Sequence, residues 1–183
     1  MRKISLIILG LGLCASVNAQ KHFTKAGSIT FYSDAPTEKI EAVNSKATSV
    51  IDTESGDIQW SVLIKAFKFE KALMEEHFNE NYMESSKFPK GIFKGKITNL
   101  SDVDFSTDGE YTANIAGSLT IHGVEKEIET TGLITILKGD VMGSSEFEIT
   151  LLDYEIEIPS VVADNISKTV LLKIHAEYAK LAK

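Results

Sequence analysis

The sequence has little cysteine, little proline and no excess of positive charge. One cysteine and three prolines among 183 residues exclude a disulfide framework and a proline-rich chain. The 19 basic residues are outnumbered by 26 acidic ones and form no cluster that could neutralise a polyphosphate, which argues against a nucleic-acid partner. With 43% apolar residues, the chain has globular composition, and its length predicts one domain with its own core.

Residues 1–19 have the features of a secretory signal peptide. A basic pair at positions 2–3 is followed by the apolar run 4–13 and then by small residues up to Ala19. The run is shorter than the ~20 apolar residues that a membrane-spanning helix needs. We therefore predict cleavage before Gln20, a periplasmic or secreted location, and a mature domain over residues 20–183.

Cleavage would remove the only cysteine, Cys14, and would leave 17 basic against 26 acidic residues, a formal charge of −9. The mature chain would then hold no disulfide, so its stability would depend on packing and backbone pairing.

Apolar and polar residues alternate over most of the mature chain, which is typical of strands with one buried face. The alternation is clear in five runs and weaker in three more: Ile58–Ala66, Gly109–His122, Ile128–Ile136, Phe147–Leu151, Val170–Tyr178, then 27–33, 38–52 and 91–105. Tight-turn clusters such as Thr107-Asp108-Gly109 and Lys138-Gly139-Asp140 separate neighbouring runs. About eight strands in sequence predict an antiparallel meander, which either packs as a sandwich or closes into a barrel.

One segment, between Phe69 and Phe88, has helical rather than strand periodicity. Leu73, Met74, Phe78 and Tyr82 recur at intervals of three to four, and acidic residues fall mainly elsewhere. The pattern predicts an amphipathic helix that ends before Pro89 and buries its apolar stripe over an open end of a barrel. A shorter helical turn is predicted after Pro159.

No catalytic or metal-binding pattern emerges from the sequence. The histidines are scattered, at positions 22, 77, 122 and 175, and no nucleophile elbow occurs. His77 with Glu76 and Glu80 comes nearest to a metal site, but a solvated helix face explains this group better. We predict no catalytic residue, no metal and no cofactor, and therefore no enzyme activity.

Two segments carry motifs in the order in which a known family has them. In residues 73–93, His77 is followed by a spacer, by Phe88-Pro89 and by Phe93; in residues 109–124, Gly109-Glu110-Tyr111 precedes Gly117-Ser118-Leu119-Thr120-Ile121-His122-Gly123-Val124. Together they resemble the YceI-like family of exported bacterial proteins. The resemblance implies an all-β, extended lipocalin-like barrel of eight antiparallel strands with an amphipathic helix near one end. For some members it also implies a polyisoprenoid or similar long-chain lipid inside.

The sequence departs from the family pattern at two places. Asn81-Tyr82-Met83-Glu84 replaces the usual Phe-Phe-Asp element, and Glu125-Lys126-Glu127 stands where many members have Thr-Lys-Pro. Both changes concern the exposed end of the implied tunnel, so the headgroup of a ligand is left open.

The alternation and the resemblance predict the side chains that face a ligand. Aromatic residues around the helix either line the tunnel mouth or form a plain core beneath the helix. The small residues Ala113, Gly117 and Gly132 either leave room for an alkyl chain or relieve crowding where the sheet bends. The predicted ligand-binding residues are Val62, Ile64, Phe67, Phe69, Met74, Phe78, Tyr82, Phe88, Phe93, Ile115, Leu119, Ile134, Phe147 and Ile149.

Three functions are compatible with this sequence. The first is an exported protein that binds a long-chain apolar lipid, isoprenoid-like, for transport or storage, since each buried methylene contributes ~0.8 kcal/mol without any polar anchor. The second is a metal-dependent enzyme at the tunnel mouth that uses His77, Glu76 or His122. The third is a structural or stress-protective barrel with a filled interior. Family members are often paired, which makes a homodimer compatible with the resemblance, although no residue here defines an interface.

Overall fold

The computed structural model describes residues 21–181. The predicted signal peptide and its cleavage site lie outside these residues. Residues 21–181 contain nine strands: β1 Lys21–Asp34, β2 Lys39–Asp52, β3 Asp57–Leu63, β4 Lys68–Phe69, β5 Lys90–Ile97, β6 Gly109–Ile121, β7 Val124–Leu137, β8 Asp140–Thr150 and β9 Thr169–Lys180. None of the helices in the described part of the chain is long and apolar enough to cross a membrane.

The strands form one antiparallel sheet that closes on itself. Its order is β1-β9-β8-β7-β6-β5-β3-β2, and β1 also pairs with β2, which joins the two edges. The two-residue β4 follows a short turn after β3 and pairs with β2 through Ala42 and Val43. The architecture is therefore a closed eight-stranded antiparallel barrel, which confirms the predicted fold and decides between barrel and sandwich.

The turn cluster Lys138-Gly139-Asp140 forms a tight hairpin between β7 and β8, whereas Thr107-Asp108-Gly109 ends the longer connection from β5 to β6. A second tight hairpin joins β6 to β7. β6 and β7 pair over their whole length, from Gly109 opposite Ile136 to Ile121 opposite Val124. The two residues between these strands, His122 and Gly123, both have positive φ, 52° and 80°. This is the geometry of a two-residue turn whose twist matches that of the flanking strands.

The predicted helix is present but shorter than the sequence pattern suggests. Helix α1 spans Ala72–His77 and continues as a π-helical turn, Phe78–Tyr82. Met83 donates its N–H to the Phe78 carbonyl at 2.9 Å, and Glu84 then takes a positive φ of 41°, so the chain leaves the helix before Pro89. The turn predicted after Pro159 is also present, as a 3-10 turn over Ser160–Val162.

The barrel interior is filled at one end. A cluster of buried side chains there includes Ile51, Ile136 and Val141, each at most 2% exposed. Val103, from the connection between β5 and β6, packs into the same cluster. This filled end supports the open part of the barrel.

Small residues allow close strand approach instead of widening the interior. Gly95 and Gly117 lie opposite each other on β5 and β6, and a Cβ at position 95 would lie only 2.5 Å from Cζ of Phe93. The Phe93 ring thus covers the space that Gly95 leaves. Ala113, Gly117 and Gly132 are all absent from the wall of the interior cavity, which favours the crowding interpretation over room for an alkyl chain.

Candidate ligand-binding cavity

The other part of the barrel encloses a cavity of about 490 Å³. This volume is within the range of small-molecule sites. All eight long strands and the helical segment 72–82 contribute residues to its wall. The wall is mostly apolar. Ile51, Ile58, Ile134 and Tyr178 belong both to the wall and to the filled end, and they form the floor of the cavity. The interior of this barrel is therefore not filled with side chains throughout.

Thirteen of the fourteen predicted ligand-binding residues lie in the cavity wall. They are Val62, Ile64, Phe67, Phe69, Met74, Phe78, Tyr82, Phe93, Ile115, Leu119, Ile134, Phe147 and Ile149. Their contact with a ligand stays a prediction.

Phe88, the remaining predicted residue, is not part of the wall. Its ring packs edge-on against the His122 ring, with centroids 4.6 Å apart. The chain enters β5 only at Lys90, so the inward alternation of that strand begins after Phe88. Phe88 therefore holds the turn between β6 and β7 against the segment that precedes β5.

Four phenylalanines form an aromatic cluster beneath the helix. Phe78 lies at its centre, with ring centroids 5.5 Å from Phe31, 5.7 Å from Phe67 and 5.0 Å from Phe69. Such pairs contribute ~0.5–1.5 kcal/mol each beyond burial of their area. All four rings also line the cavity. The same side chains therefore form a core beneath the helix and line the tunnel.

Sequence reasoning missed the part of the wall that β1 and β9 supply. Ile29 and Phe31 come from β1, and Leu172, Ile174 and Tyr178 come from β9. The period-two alternation of these residues was a usable signal. The missing information was that β1 pairs with β9, which makes these two strands neighbours in the wall.

The cavity opens where its lining residues are also exposed to solvent. Lys71, Leu73, His77 and Asn165 combine both properties, as does Ser144 on β8. We call the opening that the first four border the mouth. Leu73 is 60% exposed. The mouth thus lies between helix α1 and the segment that follows Pro159.

Two polar contacts tie the elements around the mouth together. Lys71 Nζ donates to Glu38 Oε1 at 2.9 Å, and this hydrogen bond raises the pKa of Lys71. Thr37, next to Glu38, donates its hydroxyl to the Asp164 carbonyl at 2.6 Å. The turn between β1 and β2 is therefore held to the start of α1 and to the segment after Pro159.

A buried hydroxyl pair lies at the floor. The Tyr178 and Ser49 hydroxyls are 2.9 Å apart. Burial raises the pKa of Tyr178 to about 12, although the Ser49 hydrogen bond acts in the opposite direction. Tyr178 is therefore a neutral hydrogen-bonding group at physiological pH.

The histidines singled out in the sequence do not meet in one site. His77 lies at the mouth, whereas His122 is outside the cavity wall. The His122 ring nitrogens lie 3.2 Å from the Tyr154 carbonyl and 3.1 Å from Glu84 Oε2, so its side chain links two segments that flank the cavity. Over residues 21–181, no group of three or more His, Cys, Asp or Glu side chains could hold a metal ion.

The family profile of the YceI-like domain matches residues 12–178. The chain belongs to the YceI-like family. Comparison with curated protein sequences found no match.

Solved structures share the fold of this YceI-like domain. A polyisoprenoid-binding domain from Saccharophagus degradans aligns with a TM-score of 0.76 at 15% identity, over 89% of this chain and 99% of that one. Burkholderia cenocepacia BcnA aligns with a TM-score of 0.68 at 14% identity, over 84% and 96%. A YceI protein from Campylobacter jejuni aligns with a TM-score of 0.57 at 17% identity, over the whole of both chains. At these identities the likeness establishes the fold.

Proposed function

We propose that this YceI-like domain binds a polyisoprenoid or another long-chain lipid inside its barrel. The observation that carries the proposal is the apolar cavity of about 490 Å³ that runs from an exposed mouth to a floor of aliphatic side chains. The similar fold of the polyisoprenoid-binding domain from Saccharophagus degradans supports the same ligand class.

Apolar burial alone provides enough free energy for such binding. Each methylene moved from water into the cavity contributes ~0.8 kcal/mol, so ten methylenes contribute ~8 kcal/mol before the costs of association are subtracted. Affinity would therefore grow with the length of chain that the wall encloses. Binding of this kind needs no catalytic group.

We further propose that the protein is exported and carries or stores its lipid outside the cytoplasm. The support is the basic start, apolar run and small residues before Gln20. Amino-terminal sequencing of the protein recovered from a periplasmic extract should begin at Gln20. The homodimer stays a prediction, and sedimentation analysis of the mature protein would test it.

Native mass spectrometry of the mature protein, purified without detergent, is the direct test of lipid binding. We expect an apolar adduct that organic extraction releases. The delipidated protein should then bind geranylgeraniol. Binding should change the fluorescence of Trp60, the single tryptophan, because its side chain lies in the cavity wall.

Ligand at 100 times its Kd should stabilise the fold by ~2.7 kcal/mol, which differential scanning calorimetry would detect. A clean unliganded mass, together with no change in Trp60 fluorescence or in Tm on adding geranylgeraniol, would overturn the proposal.

A further inference from the structure

The ionisable side chains in the cavity wall, apart from two tyrosines, are few and lie at the mouth. Within the described part of the chain they are Glu38, Lys71 and His77. Glu38 has 25% of its side chain exposed and Lys71 has 64%. Below them the wall is mostly aliphatic and aromatic, so an amphiphile with its chain inside would place its headgroup beside these three residues.

The single lysine among them is already paired. Its Nζ lies 2.9 Å from Glu38 Oε1, and both Glu38 and Glu70 act to raise the pKa of Lys71. His77 is flanked in sequence by Glu76 and, three residues on, by Glu80. In the wall itself the single carboxylate, Glu38, balances the charge of Lys71, and the chain as a whole is acidic.

We propose that the mouth selects lipids with an uncharged headgroup, such as an alcohol, a carbonyl or an amide, and that Glu38 is the specificity-determining residue. This inference rests on the proposed lipid-binding function. An anionic headgroup would either lie beside the Glu38 carboxylate or have to displace it from Lys71, and each carries the modest cost of a charge interaction at a partly exposed site. A neutral headgroup leaves the ion pair intact and can hydrogen-bond to polar groups or water at the mouth.

A pair of ligands with the same chain tests this selectivity. Geranylgeraniol and geranylgeranyl phosphate differ only at the headgroup, and both can be titrated against Trp60 fluorescence below their critical micelle concentrations. We expect the wild type to bind the alcohol at least about fivefold more tightly than the phosphate, the size of a screened surface charge interaction. In Glu38→Gln, which frees Lys71, the ratio of alcohol affinity to phosphate affinity should fall about fivefold relative to the wild type.

Asp34→Asn is the matched control. Asp34 pairs with Lys39 at 3.4 Å in the same hairpin but is outside the cavity wall, so its replacement makes the same change in net charge at a residue that does not line the cavity. This variant should keep the wild-type preference for the alcohol, and its Tm and that of Glu38→Gln should match the wild type.

The outcomes separate this inference from the proposed function. Equal or tighter binding of the phosphate by the wild type would overturn the selectivity while leaving lipid binding in place. An equal fall of the alcohol-to-phosphate affinity ratio in Asp34→Asn would overturn the role of Glu38 in favour of overall charge. Binding of neither ligand by the wild type would overturn the proposed function and this inference with it.

Discussion

Replacing Gly91 by leucine tests the cavity as the binding site, because this residue lies on β5 and faces the cavity. A Cβ at position 91 would lie 3.8 Å from Ile64 Cδ1, 3.8 Å from the Thr120 carbonyl oxygen and 3.9 Å from Val62 Cβ. These are ordinary contact distances. A larger side chain can therefore extend into the cavity without displacing the strands.

The expected change in stability follows from three contributions. Burying a leucine side chain contributes ~1.5–3 kcal/mol, and removing a glycine from the interior of a strand contributes ~0.5–1 kcal/mol. Loss of side-chain rotamer freedom costs ~0.5–1 kcal/mol. The net gain is ~2 kcal/mol, which for a domain of this size raises Tm by ~4–8 °C.

The same substitution should weaken lipid binding, because leucine occupies the volume that the ligand needs. We expect Gly91→Leu to bind geranylgeraniol at least about tenfold more weakly than the wild type, the equivalent of two lost methylenes. Gly95→Leu on the same strand is the contrasting variant, since its Cβ would lie 2.5 Å from the Phe93 ring, and it should lower Tm.

If Gly91→Leu bound geranylgeraniol with wild-type affinity, the cavity would not be the binding site. If its Tm were below that of the wild type, the space beside position 91 would not be free. Both results come from the same two assays, calorimetry and Trp60 fluorescence.

Three further substitutions test other parts of the structure. Phe78→Ala removes three aromatic contacts from a half-buried position and should cost ~2–3 kcal/mol of unfolding free energy, measured by urea denaturation, with Phe78→Leu losing less than half as much. Burial raises the folded-state pKa of Tyr178 to about 12, above its unfolded value of ~10. The free energy of unfolding therefore does not depend on Tyr178 ionisation below pH 10. It should fall by ~2–3 kcal/mol between pH 10 and 12. A pH series of urea melts should show this loss, and the loss should be clearly smaller in Tyr178→Phe, in which only Tyr82 and Tyr154 keep pKa values raised by burial. Gly123→Ala places a Cβ 2.5 Å from the Phe88 ring at a φ of 80°, so Tm should fall by several degrees, and an unchanged Tm would contradict the packing at that turn.

Closure of the barrel is the feature that the sequence pattern left undecided. The strands from β6 to β9 alternate regularly, and the two tight hairpins, β6–β7 and β7–β8, each carry a glycine at positive φ, Gly123 and Gly139, so local chemistry predicts them. β1 joins the two edges of the sheet, yet its register shifts between Thr24 and Gly27 and again between Gly27 and Ile29. Each shift moves later side chains out of the simple period of two, which explains why only residues 27–33 of β1 gave a signal.

Membership of the cavity wall was predicted well where inward direction follows from alternation and poorly where it depends on how distant segments meet. Val62, Leu119 and Ile149 face the cavity because of their place in a strand. Phe88 was included for its aromatic character, but it lies just before β5 and packs on His122 instead. Phe31 was missed because neither the pairing of β1 with β9 nor its contact with Phe78, 47 residues later in the chain, follows from the local pattern.

The filled end of the barrel stabilises the fold, and the end with the mouth gives access to the cavity. The filled end holds the most deeply buried aliphatic residues, so the fold there does not depend on what occupies the cavity. The contacts across the mouth are of a different kind: the ion pair of Lys71 with Glu38 and the hydrogen bond of Thr37 with Asp164 are open to solvent, which screens and competes with them. Parting these contacts costs far less free energy than separating strands, because strand separation would expose the packed end and break paired backbone groups. A long ligand can therefore enter past the mouth while the filled end keeps the register of all eight strands.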